Sequence, residues 1–258
     1  MDAASTEDGG DATATPPLAP LLPASAPSLP APALVDNFAF ARHHVERVLG
    51  DCRSTPELGY YLPVTVLLRR KDVPQLPGKD TSVLVSKNVR NMESLERLAP
   101  VVRAVCDATN ARFYMKLNKR DDKSVAAVAM QGVVASFVAG NYRAAGKAFA
   151  SAVGSKKSPG APSHQKFFML DVDPTGEEDV PAFLDAAERA IRECWARRRQ
   201  PAHDVDRVPS KSGVHVVCPA FDKMLFTELM RGQPKIWDLR EDALVLIYFS
   251  GRGKLEWG

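Results

Sequence analysis

Two acidic residues, Asp171 and Asp173, end an apolar stretch in the second half of the chain. Alternate side chains of a β-strand point to the same face, so a strand over residues 167–173 places both carboxylates on one side, about 6–7 Å apart. Carboxylates at this spacing can share divalent cations and support two-metal phosphoryl transfer. A solvated strand end running into the turn at Pro174 explains the pair equally well when the motif is considered alone.

A turn rich in hydrogen-bond donors lies further along the chain and leads into an apolar strand. Its hydroxyl, ammonium, backbone and imidazole groups could face an anionic phosphate, and its glycine allows the backbone to approach closely. A histidine alone on a strand is more often a hydrogen-bonded core residue, but the turn before it favours the phosphate-binding interpretation. The residues concerned are Ser210, Lys211, Ser212, Gly213 and His215.

A third acid, Asp238, ends a short apolar segment that begins at Ile236. Residues 238–242 also have the composition of a turn that opens a hairpin. Asp238 and Asp242 are therefore alternative candidates for a third carboxylate beside the first two.

The elements that must position these side chains form a mixed pattern of helices and strands. Such a pattern predicts an α+β (α/β) fold with a central mixed or antiparallel sheet flanked by helices. Helices are predicted over residues 37–49, from Asn91 past 105, twice within 123–153, over 180–197 and over 221–230. Strands are predicted over residues 64–68, 82–86, 112–117, 167–173, 213–218, 236–239 and 243–249.

The charge distribution divides the chain into an acidic tail and a basic body. The first 41 residues contain five acids and no Lys or Arg, so the remainder carries a formal charge of +8 against +3 for the whole chain. Residues 1–34 are rich in Ala and Pro and are predicted to be disordered. Residues 35–258 are predicted to form a single catalytic-type domain, with an N-terminal αβ module at 35–160 and a metal- and nucleotide-binding module at 161–258.

Several classes of protein are disfavoured by composition. No apolar run reaches the roughly 18 residues of a membrane span, and the proline-rich tail lacks the basic start of a signal peptide. We therefore expect no membrane partner and no secretion. The four cysteines are scattered without a CxxC motif, which argues against a disulfide framework or a zinc ribbon. A reduced intracellular compartment, cytoplasm or nucleus, is expected.

The ordered motifs resemble the catalytic core of the archaeo-eukaryotic primase superfamily, and most closely the polymerase domain of bacterial end-joining DNA ligases. That family has an LDxDP run before an acidic, glycine-containing loop and a helix; here the sequence is Leu170-Asp-Val-Asp-Pro-Thr-Gly. Its second motif is a Ser/Gly turn, then G-x-H and an apolar strand; here it is Pro209-Ser-Lys-Ser-Gly-Val-His-Val-Val-Cys-Pro219. The resemblance covers roughly residues 166–250.

The resemblance implies a metal-dependent nucleotidyltransferase that acts on nucleic acid. Asp171 and Asp173 would be ligands of Mg²⁺ or Mn²⁺, and Asp238 would be the third carboxylate. His215, with Ser210, Lys211 and Ser212, would contact the phosphates of the incoming nucleotide. The partners would be a DNA or RNA template, nucleoside triphosphates, and a separate helicase, ligase or other replication or repair protein.

The basic body supplies candidate contacts to a template backbone. Phe113 or Tyr114 could stack on a base, although one of them must face the core. Two other interpretations remain open: an inactive member of the superfamily that only binds nucleic acid, and a metal-dependent nuclease. The candidate backbone contacts are Arg69, Arg70, Lys71, Lys116, Lys119, Arg120, Lys156 and Lys157.

Overall fold

The computed structural model describes residues 34–50, 59–74, 80–154, 166–174, 176 and 179–251. These residues all belong to one compact unit, Pro32–Gly258. The tail that was predicted to be disordered lies outside the described residues, apart from Leu34, and so do Lys156 and Lys157. The predicted division at residue 160 stays a prediction.

Helices and antiparallel strands are both present, which confirms the predicted α+β class. The helices are α1 (Phe38–Leu49), α2 (Met92–Thr109), α3 (Asp122–Val138), α4 (Tyr142–Ala145), α5 (Ala148–Gly154), α6 (Val180–Arg197) and α7 (Lys223–Leu229). The strands are β1 (Val35–Asp36), β2 (Tyr60–Arg69), β3 (Thr81–Val89), β4 (Arg112–Lys116), β5 (Arg120–Asp121), β6 (Phe167–Val172), β7 (Asp206–Pro209), β8 (Val214–Pro219), β9 (Trp237–Arg240) and β10 (Leu244–Phe249).

The described strands form two antiparallel sheets rather than the one central sheet that the sequence suggested. The first has the order β1-β10-β4-β2-β3, with β5 paired to β2, and the second has the order β7-β8-β6-β9. The last strand, β10, belongs to the first sheet, although the four strands before it in the chain, β6 to β9, form the second sheet. Strand pairing of this kind depends on contacts distant in sequence, which hydrophobic periodicity does not encode.

A hydrophobic core is shared by the two sheets, and it ends where the acidic motif begins. Phe167 and Met169 of β6 join this core with residues of β2 and β4. Phe168 and Leu170 point the other way and pack against α6 in a second core. Because strand residues alternate between faces, Asp171 continues the row of Phe167 and Met169 and emerges beside the core that both sheets share.

Helix α6 was predicted with the bounds that it has in the structure. The side chain of Asp179 caps its start by accepting a hydrogen bond from the backbone N–H of Ala182 at 3.0 Å. Its apolar stripe, which includes Leu184, Ile191 and Trp195, is buried against the second sheet. None of the described helices has the length and apolar character needed to cross a membrane.

A buried histidine of α1 makes the stability of the fold depend on pH. The Nε2 atom of His44 lies 2.8 Å from the carbonyl oxygen of Leu117, and Nδ1 lies 3.0 Å from Nη2 of Arg47. Burial lowers the pKa of His44 from 6.5 to about 3, so the folded protein holds the neutral ring. This neutral ring donates from Nε2 and accepts from Arg47 at Nδ1.

We expect acid to destabilise the protein through His44. Below pH 6.5 the imidazole of His44 is protonated in the unfolded chain, but in the folded protein it stays neutral down to about pH 3. The free energy of unfolding is therefore highest, as far as His44 is concerned, above pH 6.5, and it falls on acidification. The loss is about 1.4 kcal/mol per pH unit in that window. Urea unfolding at pH 7 and pH 5 should show a shallower pH slope for His44→Gln than for wild type. The exposed neighbour variant His43→Gln is the control, and an unchanged slope in His44→Gln would contradict the assignment.

Candidate active site

A row of polar side chains crosses three adjacent strands of the second sheet. Asp171 of β6 lies directly opposite His215 of β8 on one side and opposite Asp238 of β9 on the other. Directly opposed residues of antiparallel strands share a face, so all three side chains project from the same side of the sheet. This is the side that carries the core shared by the two sheets.

Asp171 is a largely buried carboxylate with two cationic or polar neighbours. His215 Nε2 lies 3.3 Å from Oδ1, and Arg240 Nη2 lies 3.0 Å from Oδ2. The side chain of Asp171 is only 14% exposed. The hydrogen bond from His215 holds its pKa below the usual range against the opposing effect of burial, and the charges of Arg240 and Lys71 act in the same direction as His215. Asp171 is therefore ionised at neutral pH.

His215 keeps one ring nitrogen without a protein partner. The residue is buried, and among the described residues its Nδ1 atom has no hydrogen-bond partner. A buried polar atom without a partner is costly and needs an explanation. A ligand group or a water molecule in the cleft that His215 lines is the physical candidate.

The donor-rich turn before β8 is held against the end of β6. The backbone N–H of Ser210 donates to the carbonyl of Gly213, and the N–H of Gly213 donates back to Ser210 Oγ, both at 2.9 Å. A Cβ atom on Gly213 would lie 1.9 Å from the carbonyl oxygen of Val172, so only glycine allows this approach. Ser212 Oγ donates to Asp173 Oδ1 at 2.8 Å, which joins the two sequence motifs directly.

Asp72 is a central residue of the site that the sequence analysis missed. Its side chain is 1% exposed. It accepts two hydrogen bonds from Arg112, both at 2.7 Å, and one from Lys211 Nζ at 2.6 Å. Burial acts to raise the pKa of Asp72, but these hydrogen bonds outweigh it and hold the pKa below the usual range. Asp72 thereby links Lys211, which was predicted to contact phosphate, to Arg112 of the first sheet.

The cleft beside Asp171 carries more positive than negative charge. Five cationic side chains line it, against the carboxylates of Asp171 and Asp173, and two of the five, Arg112 and Lys211, bond to the buried carboxylate of Asp72. Burial lowers the pKa of Lys71, and the neighbouring charges of Arg112 and Arg69 act in the same direction. An anion such as phosphate would relieve this repulsion. The cations are Arg69, Lys71, Arg112, Lys211 and Arg240.

Most of the predicted site residues meet in this cleft. The structure brings Asp171, Asp173, Ser210, Lys211, Ser212 and His215 together, and it adds Arg69 and Lys71 from the list of template contacts. Of the aromatic pair, Tyr114 lines the cleft. Phe113 is buried and stacks on Phe38, with ring centroids 5.8 Å apart, as the alternation of the strand requires.

Four predicted template contacts do not line the cleft. Lys116 and Arg120 both pair with Asp242, at 2.9 and 2.5 Å, and the side chain of Arg120 is only 5% exposed. Their charges are satisfied inside the protein, so the structure does not present them to a nucleic acid. Lys119 lies with its ammonium 4.7 Å from the ring centroid of Tyr60. Arg70 is exposed and pairs with Asp80 at 3.7 Å.

The same geometry separates the two candidates for the third carboxylate. Asp242 is occupied by Lys116 and Arg120. Asp238 lies opposite Asp171 with a side chain that is 70% exposed, and its one ion pair among the described residues is with Arg240 Nε at 3.1 Å. Asp238 is therefore the acid that shares a face with Asp171.

The carboxylates have suitable chemistry for a hard divalent cation. Asp171, Asp173 and Asp238 offer oxygen ligands, which Mg²⁺ and Mn²⁺ prefer. Across the described ranges, no group of three or more His, Cys, Asp or Glu side chains is already arranged to hold a metal ion. Arg240 pairs with both Asp171 and Asp238, so a cation binding between them would have to replace its guanidinium.

The fold and the cleft together define an α+β protein with an ionised aspartate, Asp171, in a cleft lined by several cations. Comparisons with models of protein families, with curated proteins and with solved structures found no match. The resemblance to primase-polymerases therefore depends on the motif residues described above.

Proposed function

We propose that this protein is a metal-dependent nucleotidyltransferase of the primase-polymerase type, which adds nucleotides to a nucleic acid. The observation that carries the proposal is the row of His215, Asp171 and Asp238 across three adjacent strands. His215 and Asp171 of this row line a basic cleft. The turn before β8 reaches the same cleft and bonds to Asp173. Residues from separate motifs thus meet with the chemistry that phosphoryl transfer requires.

Asp171, Asp173 and Asp238 are the residues that would hold Mg²⁺ or Mn²⁺. Divalent ions, when bound, lower the pKa of an attacking hydroxyl group and stabilise charge on a transferring phosphate and its leaving group. The lowered pKa of Asp171 keeps it ionised and able to act as a ligand at neutral pH. Ser212 holds the carboxylate of Asp173 from the opposite motif.

The remaining cleft residues bind and orient the phosphates of a nucleoside triphosphate. Arg69 and Lys71 line the cleft, and neither forms an ion pair with another described residue. Their charges are therefore available to an anion. The ring of His215, whose Nδ1 has no hydrogen-bond partner within the described ranges, and the hydroxyl of Ser210 provide directional hydrogen bonds.

A second candidate function is a nucleic-acid-binding module of the same fold without catalysis. The observation that favours it is the position of Arg240, which neutralises the two carboxylates that a metal ion would need. This candidate requires that binding of nucleic acid survives the loss of Asp171.

Primer extension tests the proposal. A labelled primer on a single-stranded template is incubated with the protein, nucleoside or deoxynucleoside triphosphates, and Mg²⁺ or Mn²⁺, and the products are separated on a denaturing gel. We expect longer products that require the divalent cation, with template binding that weakens steeply as salt increases. Shortened products would identify a nuclease instead. Salt-sensitive binding without any change in product length would support the non-catalytic module.

The proposal includes a reducing intracellular compartment, which the state of the cysteines supports. Cys106, Cys194 and Cys218 are free and buried in the described structure. Burial raises the pKa of Cys106 to about 12 and that of Cys194 to about 11, so both thiols stay protonated and unreactive. A reducing intracellular compartment suits them.

A further inference from the structure

Arg240 occupies an unusual position for a cleft that is meant to bind cations. Its guanidinium donates to Asp171 Oδ2 at 3.0 Å through Nη2 and to Asp238 Oδ2 at 3.1 Å through Nε. It therefore bridges the two carboxylates that face each other across β6 and β9. A cation between two carboxylates performs the electrostatic role that a divalent ion would perform there.

The burial of Asp171 explains why some cation has to be present. Its side chain is largely shielded from water, and a buried carboxylate without a counterion is strongly destabilising. On the other oxygen of Asp171, the Nε2 atom of His215 lies 3.3 Å away. Arg240 thus compensates the charge of Asp171 when no metal ion is bound.

The side chain of Arg240 is not enclosed by the protein. The side chain of Arg240 is 52% exposed, and β9 is the edge strand of the second sheet. It also lines the cleft together with the donor-rich turn and with Arg69 and Lys71. A phosphate bound in this cleft would therefore have Arg240 among the residues that line its site, and arginine binds phosphate well because its planar fork matches two oxygens.

We propose that Arg240 is a resident counterion that closes Asp171 and Asp238 to divalent cations until a nucleotide phosphate takes its guanidinium. Metal and nucleotide then bind together, because each favours the arrangement that admits the other. This inference rests on the proposed function, since it assumes that these carboxylates receive a metal ion. It assigns to Arg240 a positioning and gating role that none of the sequence motifs indicated.

The test compares two opposite effects of one substitution. Arg240→Gln keeps a polar side chain of similar length but removes the charge. We expect it to bind Mn²⁺ roughly threefold to tenfold more tightly than wild type, because a site closed about 70–90% of the time loses affinity by that factor. In EDTA, we expect the same variant to bind a nucleoside triphosphate several-fold more weakly, since it lacks a phosphate contact.

A matched control is available on the opposite face of the same sheet. Arg207 of β7 also bridges two acids, Asp185 and Glu188, both of helix α6. Arg207→Gln removes the same charge from a comparable pair, so it should leave both affinities at the wild-type values. Mn²⁺ binding is followed by the electron paramagnetic resonance of the free ion, and nucleotide binding by calorimetry.

Each result has a separate meaning. If wild type and Arg240→Gln bind Mn²⁺ equally, and Asp171→Asn abolishes that binding, the role of Arg240 is wrong while the proposed function stands. If Arg240→Gln binds Mn²⁺ more tightly than wild type but binds the nucleotide with the wild-type affinity, the proposed movement of Arg240 from the carboxylates to a phosphate is wrong. If no form of the protein binds Mn²⁺, the metal-dependent function fails and the role of Arg240 fails with it.

Discussion

Replacing Asp171 with asparagine is expected to reduce nucleotide incorporation by at least about 100-fold. Loss of groups that only support metal ligands typically costs 10- to 100-fold, and Asp171 would contact the metal ion itself. Asparagine has nearly the same size, so the packing of β6 between the two cores is preserved. It removes the negative charge that His215 and Arg240 now compensate. The measurement is the rate of primer extension at saturating Mg²⁺ or Mn²⁺.

Two further variants make this result interpretable. Asp185→Asn removes an exposed carboxylate that pairs with Arg207 on the α6 face of the second sheet, and it should leave incorporation unchanged. The double variant Asp171→Asn with Asp173→Asn should abolish incorporation. Template binding should persist in both Asp171 variants, because the cations Arg69 and Lys71 are retained. Incorporation by Asp171→Asn at the wild-type rate would overturn the proposed function.

Replacing Asp72 with asparagine is expected to lower the free energy of unfolding by about 3–5 kcal/mol, the usual cost of removing one partner from a buried ion pair. Arg112 would be left buried with its charge uncompensated, and Lys211 would lose its anchor to the first sheet. Urea denaturation at neutral pH measures the loss. Asp80→Asn, which removes an exposed carboxylate beside Arg70, is the control and should change stability by no more than about 0.5 kcal/mol.

The contribution of Asp72 also has a defined pH dependence. Its folded pKa lies below the ordinary carboxyl value of 3.8, so its stabilising effect is present above that value and is lost as the pH falls through the lowered pKa. The double variant Asp72→Asn with Arg112→Gln removes both charges, and it should lose less stability than the two single variants together. Stability of Asp72→Asn equal to wild type would show that Arg112 and Lys211 do not need this carboxylate.

Much of the local structure was predictable because local patterns determine it. The apolar stripe of α6 repeats at the helical period, and its bounds were predicted without error. The strand that carries Asp171 is otherwise apolar, because a core lies on each of its faces. Strand β7 was missed because its sequence, Asp206 to Pro209, has a single buried apolar residue and no period-2 pattern of useful length.

The charged residues show where prediction from local sequence ends. Lys71 and Arg120 are both basic residues next to strands, but Lys71 lines the cleft while Arg120 is buried against Asp242. Asp72 directly follows three cations in the chain, and no motif in the sequence indicated its role. Its partner Lys211 is distant in sequence, and only the packing of the two sheets brings them together. The partner of a charge is a long-range property that residue type does not encode.

By itself, the sequence determined the α+β class, the strand that presents Asp171, and the turn with Ser210 and Gly213 that leads into the strand of His215. These follow from periodicity and from the conformational freedom of glycine, which act over a few residues. The tertiary structure alone decided that the strands form two sheets, that Asp238 rather than Asp242 faces Asp171, and that Arg240 bridges the two acids. Those outcomes depend on strand register and on which charges meet across the cleft, and both are set only when distant parts of the chain pack together.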